Sequence, residues 1–301
     1  MVGFVESLLF EPRGWLQHAI TRALVPLSGI YGAISWRDLT RKQPKNLGVK
    51  VISVGNITIG GSGKTPLTAA LATLTADSAI VLRGYGRKTK GLIVVDDRTN
   101  VFDVGDEALL YKELAPKAIV IVSADRALGA LKAKALGAKT VFLDDGFRHR
   151  HIAKFDILIA PNPPPANRRL LPAGCYRYYE KAYAMADFIA QEGRDFFRST
   201  SVVNPSDRMA LVTAVSRAKR LEPFLPPVVA RYHLRDHSFF DERTLRQIMQ
   251  KHEATSLLVT AKDAVKMRGF DLPLSLLDLK ITIGEALQTA LNGYCQTPKS
   301  A

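Results

Sequence analysis

The sequence predicts an α/β protein: a mostly parallel sheet with helices on both faces, a second, smaller α/β lobe, and an amphipathic N-terminal helix. Three observations carry that expectation. The alternating apolar run Val49-Lys50-Val51-Ile52-Ser53-Val54 leads into a glycine-rich loop and then a helical stretch over 67–72. Short apolar runs alternate with helical patterns as far as residue 160, as strands joined by crossover helices do. The chain, at 301 residues with 47% hydrophobic content, is long enough to bury a sizeable core in two lobes.

At the N-terminus, Trp15, Leu16, Ala19, Ile20, Ala23 and Leu24 recur at helical spacing. An uncharged stretch over 23–36 follows, interrupted by Pro26, and then come Arg37, Arg41, Lys42 and Lys45. An apolar helical face beside a basic cluster suits a segment lying in a membrane interface. It suits an amphipathic helix packed on the core equally well. No run reaches about 18 uncharged apolar residues, so no spanning helix is expected. The order of a signal peptide is also missing. The formal net charge of +14 points to an anionic partner: nucleic acid, an acidic membrane surface or a phosphorylated substrate. Cys175 and Cys295 are too few for a disulfide framework or a structural zinc site, which fits a reducing cytosol.

The loop Gly55-Asn56-Ile57-Thr58-Ile59-Gly60-Gly61-Ser62-Gly63-Lys64-Thr65-Pro66 lies between a strand and a helix, the layout of a phosphate-binding P-loop. Gly60, Gly61 and Gly63 let the backbone close on an anion, and the following helix turns its first amides and its dipole toward the same volume. Lys64 is placed to reach the β- and γ-phosphates, and the Thr65 hydroxyl to ligate Mg²⁺. The strict motif has a glycine at position 58, where this chain has Thr58.

Strands are expected at 78–82, 118–122, 140–143 and 156–160, and helices at 107–114 and 127–136, the latter closed by Gly137. The proline run 161–165 marks a loop. A smaller α/β lobe is expected from residue 186, with strands at 188–190, 210–213, 228–232 and 257–259. The expected division is therefore 1–45, 46–185 and 186–301.

Asp144-Asp145 ends a buried strand, where an acidic residue of a P-loop enzyme binds or orients Mg²⁺; Asp145-Gly146 also reads as a tight turn. By local pattern, Asp106 and Glu107 read as an N-cap and a first-turn acid. Arg83 and Arg87 flank a glycine turn and suit either a phosphate clamp or a solvated basic loop. His149 and His151 lack a third metal ligand. His237 follows Asp236 and fits a surface histidine or an acid–base group.

Several of these stretches together resemble the tetraacyldisaccharide 4′-kinase family, the lipid A 4′-kinases of Gram-negative bacteria. They are the P-loop with Thr58, Arg83-Gly84-Tyr85-Gly86-Arg87-Lys88, Gly105-Asp106-Glu107-Ala108 and Leu143-Asp144-Asp145-Gly146-Phe147-Arg148-His149-Arg150. Leu171-Pro172-Ala173-Gly174 and Val259-Thr260-Ala261-Lys262-Asp263-Ala264-Val265-Lys266 match further on. Thr58 in place of the first loop glycine is itself a family feature. The resemblance implies transfer of the γ-phosphate of ATP to the 4′-hydroxyl of a tetraacylated disaccharide 1-phosphate at the cytoplasmic face of the inner membrane, by a peripheral or monotopic enzyme that binds no nucleic acid.

It also implies residue roles. Asp106 is the base, paired with a histidine for which His237 is the match, and Lys64 is the catalytic lysine. Thr58, Gly60, Gly61, Ser62, Gly63, Lys64 and Thr65, with Arg83 and Tyr85, surround the nucleotide. Thr65, Glu107, Asp144 and Asp145 serve Mg²⁺, and Asn56, Arg148, His149 and Arg177 face the lipid. The chain departs from the family at Arg148 (usually Gln), at Cys175-Tyr176-Arg177-Tyr178 (usually Pro-Leu-Arg-Glu), at Ala261 (usually Glu), and at Ser216-Arg217-Ala218-Lys219, where a glycine turn is usual.

Two rival readings follow from composition: a nucleic-acid-binding P-loop ATPase, and a membrane scaffold that keeps a nucleotide site. The first lacks basic tracts interleaved with aromatics. The second has no need of four acidic groups.

Overall fold

The computed structural model describes residues 2–215, 218–236 and 238–297. Three helices come first: α1 (Val2–Phe10), α2 (Gly14–Ala23) and α3 (Val25–Thr40). The one N-terminal helix expected is thus three. Pro26 sits in the first turn of α3, where its missing N–H forfeits no bond, so it starts a helix instead of interrupting the apolar stretch.

The larger sheet contains β1 (Lys50–Gly55), β2 (Ser78–Leu82), β3 (Ile93–Val94), β4 (Ile119–Val122), β5 (Thr140–Asp144), β6 (Phe155–Ala160) and β7 (Phe188–Gln191), in the order β3-β4-β2-β5-β1-β6-β7. Every pairing is parallel except that of the short edge strand β3 with β4. The connections carry α4 (Lys64–Leu74), α5 (Val101–Val104), α6 (Asp106–Leu114) and α7 (Arg126–Ala135). The strand at 188–191, expected to open the smaller lobe, instead pairs with β6, Phe188 lying opposite Ile157.

The smaller sheet is built from β8 (Phe196–Val203), β9 (Met209–Thr213), β10 (Ala230–His233), β11 (Ser256–Thr260) and β12 (Leu274–Ile283), in the order β10-β9-β11-β12-β8, with α8 (Glu242–Lys251) and α9 (Ala261–Ala264) between strands. β8 is antiparallel to β12 and the rest are parallel. The final helix, α10 (Glu285–Gln296), returns to the larger sheet, where Tyr294 packs on Phe155 at 5.1 Å between ring centroids.

The period-2 alternation of the strands sorts their side chains between two cores. Ile52, Val54, Ile80, Leu82 and Phe142 meet Leu67 and Leu71 of α4, Ala108 and Leu109 of α6, and Leu287 and Leu291 of α10. Val51, Ala79, Val81, Val141 and Leu143 meet Ala130 and Ala133 of α7. Ile281 and Ile283 of β12 pack on the first of these cores, so the P-loop helix lies between the two sheets.

The N-terminal helices dock on a third cluster, in which Leu39, Tyr31 and Trp36 meet Ile57, Phe147, Leu170 and Tyr176. The Ser28 hydroxyl donates to the Leu170 carbonyl at 2.9 Å and accepts from the Ala173 amide at 3.0 Å. The opposite face leaves Phe4, Val5, Trp15, Leu27, Ile30 and Ile34 exposed. One face of this segment thus packs on the core, as one of the two sequence readings expects, and the other leaves apolar side chains exposed. No described helix is long and apolar enough to cross a membrane.

Candidate active site

β1 delivers the chain into the loop, and α4 begins at Lys64. Gly63 caps that helix at φ +80°, in the left-handed region that a Cβ penalises. A Cβ there would also lie 2.9 Å from the guanidinium of Arg198 on β8. The first amides of α4 consequently face an open loop, an arrangement that attracts an anion. Thr58 stands in for glycine without strain because its backbone stays out of the positive-φ region. Its hydroxyl accepts from the Asn56 amide group at 3.2 Å.

Lys64 Nζ donates to Asn56 Oδ1 at 3.0 Å and lies 3.7 Å from Asp145. Arg177 forks onto both Asp145 oxygens at 2.8 and 3.0 Å, and also reaches the Asn56 carbonyl at 3.2 Å and the Asn56 side-chain oxygen. Asn56, 1% exposed, thereby ties the P-loop lysine to the segment after β6. Asp145 occupies the left-handed region at φ +51°, so the tight turn read from Asp145-Gly146 is real.

The two strand-end acids have different electrostatics. Burial alone would raise the Asp145 carboxyl; the charges of Lys64 and Arg177 outweigh it and hold that carboxyl well below the usual carboxylate range. Burial raises Asp144 to about 7, with Glu107 and Asp145 adding to the shift and Lys64 opposing it. Among the described residues, Asp144 Oδ1 has no hydrogen-bond partner. Burial lowers Arg126 to about 10, and its guanidinium donates to the carbonyls of Ser123 at 2.6 Å and Asp144 at 3.4 Å.

The other end of the site starts at α6. The sequence reads Asp106 as the N-cap, but the cap is Gly105, at φ +85°. A Cβ at 105 would lie 2.6 Å from the Tyr85 carbonyl, so two constraints require glycine there. Asp106 becomes the first helical residue, and its Oδ1 accepts the Glu107 amide at 2.9 Å. Its Oδ2 faces two cations from the smaller lobe, Lys262 of α9 at 3.8 Å and Lys266 of the turn after it at 4.0 Å. Lys262 also donates to Asp236 at 3.1 Å. Burial works against its charge, but Asp106, Asp236 and Glu107 prevail and raise its pKa. Tyr85 lies beside Asp106, Phe239 and Lys266 in a small niche. His237 lies outside the described residues.

Sequence reasoning missed Lys262, Lys266, Arg126 and Arg198. The two lysines recur at i, i+4, but nothing local points them at Asp106. Of the other expected residues, Arg83 and Arg148 are exposed, while Arg87 donates to the Gly91 carbonyl of its own loop at 2.7 Å. Burial, followed by Arg126 and Arg148, drives His149 down to about 3, so its imidazole is neutral near pH 7. Among the described residues, no three His, Cys, Asp or Glu side chains could hold a metal by themselves. The acids near Thr65 would need ligand oxygens to complete a Mg²⁺ shell, the normal condition where this ion is bound with phosphates.

Beside the P-loop, a cavity of about 600 Å³ is lined by Gly61, Ser62, the proline loop after β6, Glu192 and Arg198. Arg198 lies 3.3 Å from Glu192 across its mouth. The cavity opens at the carboxyl ends of β6 and β7, where ligands bind in open α/β sheets.

The family model for tetraacyldisaccharide-1-P 4′-kinase matches residues 20–296. The tetraacyldisaccharide 4′-kinase of Helicobacter pylori strain J99 is 43% identical over 296 residues, spanning 97% of this chain and 94% of that protein. Its counterpart in Aliarcobacter butzleri is 38% identical over 308 residues and 98% of each chain. Among solved structures, LpxK from Aquifex aeolicus, an "apo" form in complex with ATP, superposes with a TM-score of 0.74 at 27% identity, covering 92% of this chain and 100% of that one.

Proposed function

The chain belongs to the tetraacyldisaccharide-1-P 4′-kinase family, and from that premise we propose that it moves the γ-phosphate of ATP onto the 4′-hydroxyl of a tetraacylated glucosamine disaccharide 1-phosphate, the step that yields lipid IV-A. One observation carries the reading. Lys64, held by Asn56 at the mouth of α4, and Glu107 act on Asp144, while Glu107 and Asp106 act on Lys262, so the charged groups influence one another pairwise from the P-loop to Asp106.

The loop amides and Lys64 would hold the β- and γ-phosphates, with the adenosine in the adjoining cavity under Arg198 and the proline loop. Asp106 would accept the proton of the sugar hydroxyl as its oxygen attacks the γ-phosphorus and the bond to the β,γ-bridging oxygen breaks, releasing ADP. His237 is proposed as its partner. Asp144 Oδ1, buried and without a hydrogen-bond partner among the described residues, would take part in holding Mg²⁺ together with the Thr65 hydroxyl, Glu107 and Asp145. Bound there, the ion would neutralise charge building on the phosphate oxygens. Lys64 and the helix amides complete that neutralisation, and Arg177 keeps Asp145 from competing for the lysine. Neutral His149 would offer one donor and one acceptor to the sugar, with Arg148 nearer solvent.

The exposed apolar face of α1–α3, with Arg22, Arg37, Arg41 and Lys42 also exposed, would seat the enzyme on an anionic bilayer as a peripheral protein. The cytoplasmic side of the inner membrane, where ATP is available, is the proposed location. Nucleic acid has no place in this reading. The test is transfer of labelled γ-phosphate to a monophosphorylated tetraacyl disaccharide in detergent micelles. Label on the lipid is expected. Label appearing only as free phosphate, with hydrolysis stimulated by DNA or RNA, would contradict the proposal.

A further inference from the structure

The turn that carries Lys262 is locked to the smaller sheet. Asp263, fully buried, accepts from the hydroxyls of Thr213 and Thr260, each at 2.7 Å, and from the Ala214 amide at 3.0 Å. Thr260 caps α9 by accepting the Asp263 amide. The start of α9 is thereby pinned to the end of β9, and positions 262 and 266 share the face turned to α6. Phe239 stacks on Phe102 of α5 at 5.0 Å, and Arg268 pairs with Glu113 of α6 at 2.7 Å, seating the smaller sheet on the α5–α6 segment.

The two lysines are held differently. Lys266 is 1% exposed at its side chain and donates to the Ser238 carbonyl at 3.1 Å, pairs with Asp263 at 3.4 Å and lies over the Phe240 ring at 5.0 Å. Its surroundings make it a pillar of the smaller lobe. Lys262 is 18% exposed and bridges Asp236 and Asp106. Asp106 Oδ1 is committed to the Glu107 amide. The oxygen that faces the cations is therefore Oδ2.

We propose that Lys262 is a positioning residue for phosphoryl transfer: from α9 of the smaller lobe it fixes the Oδ2 of Asp106 in the orientation that receives the acceptor proton. The base is then fully aimed only when the smaller sheet sits on α6, so seating and chemistry are coupled through one ammonium group. The inference rests on the reading of Asp106 as the base.

Steady-state kinetics of Lys262→Ala, Lys262→Arg, Asp106→Asn and the double variant Lys262→Ala/Asp106→Asn test it, with circular dichroism as the check on folding. Misplacing a catalytic group by about 1 Å costs on the order of 100-fold. Lys262→Ala should accordingly lower kcat by about 10- to 100-fold while KM for ATP stays within about twofold. Lys262→Arg should recover most of that loss. In the Asp106→Asn background, Lys262→Ala should add little, because the two residues act as a unit. An effect on KM alone, no rescue by Arg, or an equal kcat loss in the Asp106→Asn background would overturn the inference. Near-normal turnover of Asp106→Asn would instead overturn the reading of Asp106 beneath it. Should Lys262→Ala fail to fold, Lys262→Gln and Asp236→Asn replace it, with the same kcat loss and the same non-additivity expected.

Discussion

At the proposed nucleotide end of the site, residues 56–65 form one continuous piece of chain, from the end of β1 into the first turn of α4. At the proposed acceptor end, Asp106, Asp236 and the pair Lys262 and Lys266 come from three segments that meet because the smaller lobe docks on α5 and α6. The first end is fixed by backbone geometry: two positive-φ glycines and a helix start. The second is fixed by packing across a junction. The first should be pre-formed and hard to perturb from a distance, and the second should depend on how the lobes seat.

If that contrast is right, the largest loss comes from the continuous end. Lys64→Ala removes the cation proposed to meet the transferred phosphate, and activity should fall by about a thousandfold or more, judged by what single charge-stabilising groups supply in phosphoryl transfer. The helix start does not depend on the lysine side chain, so the fold should persist by circular dichroism, with some loss of thermal midpoint because Asp145 and Asn56 lose a partner. Retained turnover would show that the loop is not the phosphate site.

A smaller effect is expected where the two ends share a residue. Arg198 belongs to the smaller sheet yet lies over Gly63. Arg198→Ala should raise KM for ATP by about tenfold, as loss of a charged hydrogen bond does, with kcat nearly unchanged. A change confined to kcat would instead assign Arg198 to the acceptor end.

The smallest effect concerns stability. His149 has a folded-state pKa of about 3, well below that of an unfolded chain, so below pH ~6.5 the unfolded state binds the extra proton. Stability held above that pH is lost as pH falls toward 3. Thermal midpoints between pH 7 and 4 should therefore fall by a few degrees more in the wild-type protein than in His149→Gln. Equal slopes would place the imidazole in water.

The same contrast explains what the sequence made legible. The P-loop, the buried strands and the acidic strand end could be read because each rests on contiguous residues: Gly63 before Lys64, the run 118–122, Asp144 after Leu143. Thr58 was readable as a tolerated departure through the family resemblance, and the structure supplies the reason in its ordinary φ. Lys262 could not be linked to Asp106, because only the docking of α9 on α6 makes them neighbours. The strand at 188–191 was assigned by its place in the chain, whereas edge pairing with β6 decided its sheet. β8 and β12 went unread. β8 alternates partly buried and exposed residues around Arg198 and Thr200, and its antiparallel partner lies more than seventy positions away, from Leu276 opposite Val203 to Ile283 opposite Phe196. Asp106 as an N-cap was a sound local reading that Gly105 displaced, because the close passage of the Tyr85 carbonyl admits only glycine there.

A crystal structure of the enzyme with Mg²⁺ and a non-hydrolysable ATP analogue probes the whole arrangement at once. The terminal phosphate should lie within about 3 Å of Lys64 Nζ and the first amides of α4, the normal reach of a charged hydrogen bond. The metal should sit on Asp144 Oδ1, the adenosine should fill the cavity beside the proline loop, and Lys262 should still hold Asp106. A nucleotide bound away from the loop, or a metal far from Asp144, would contradict it.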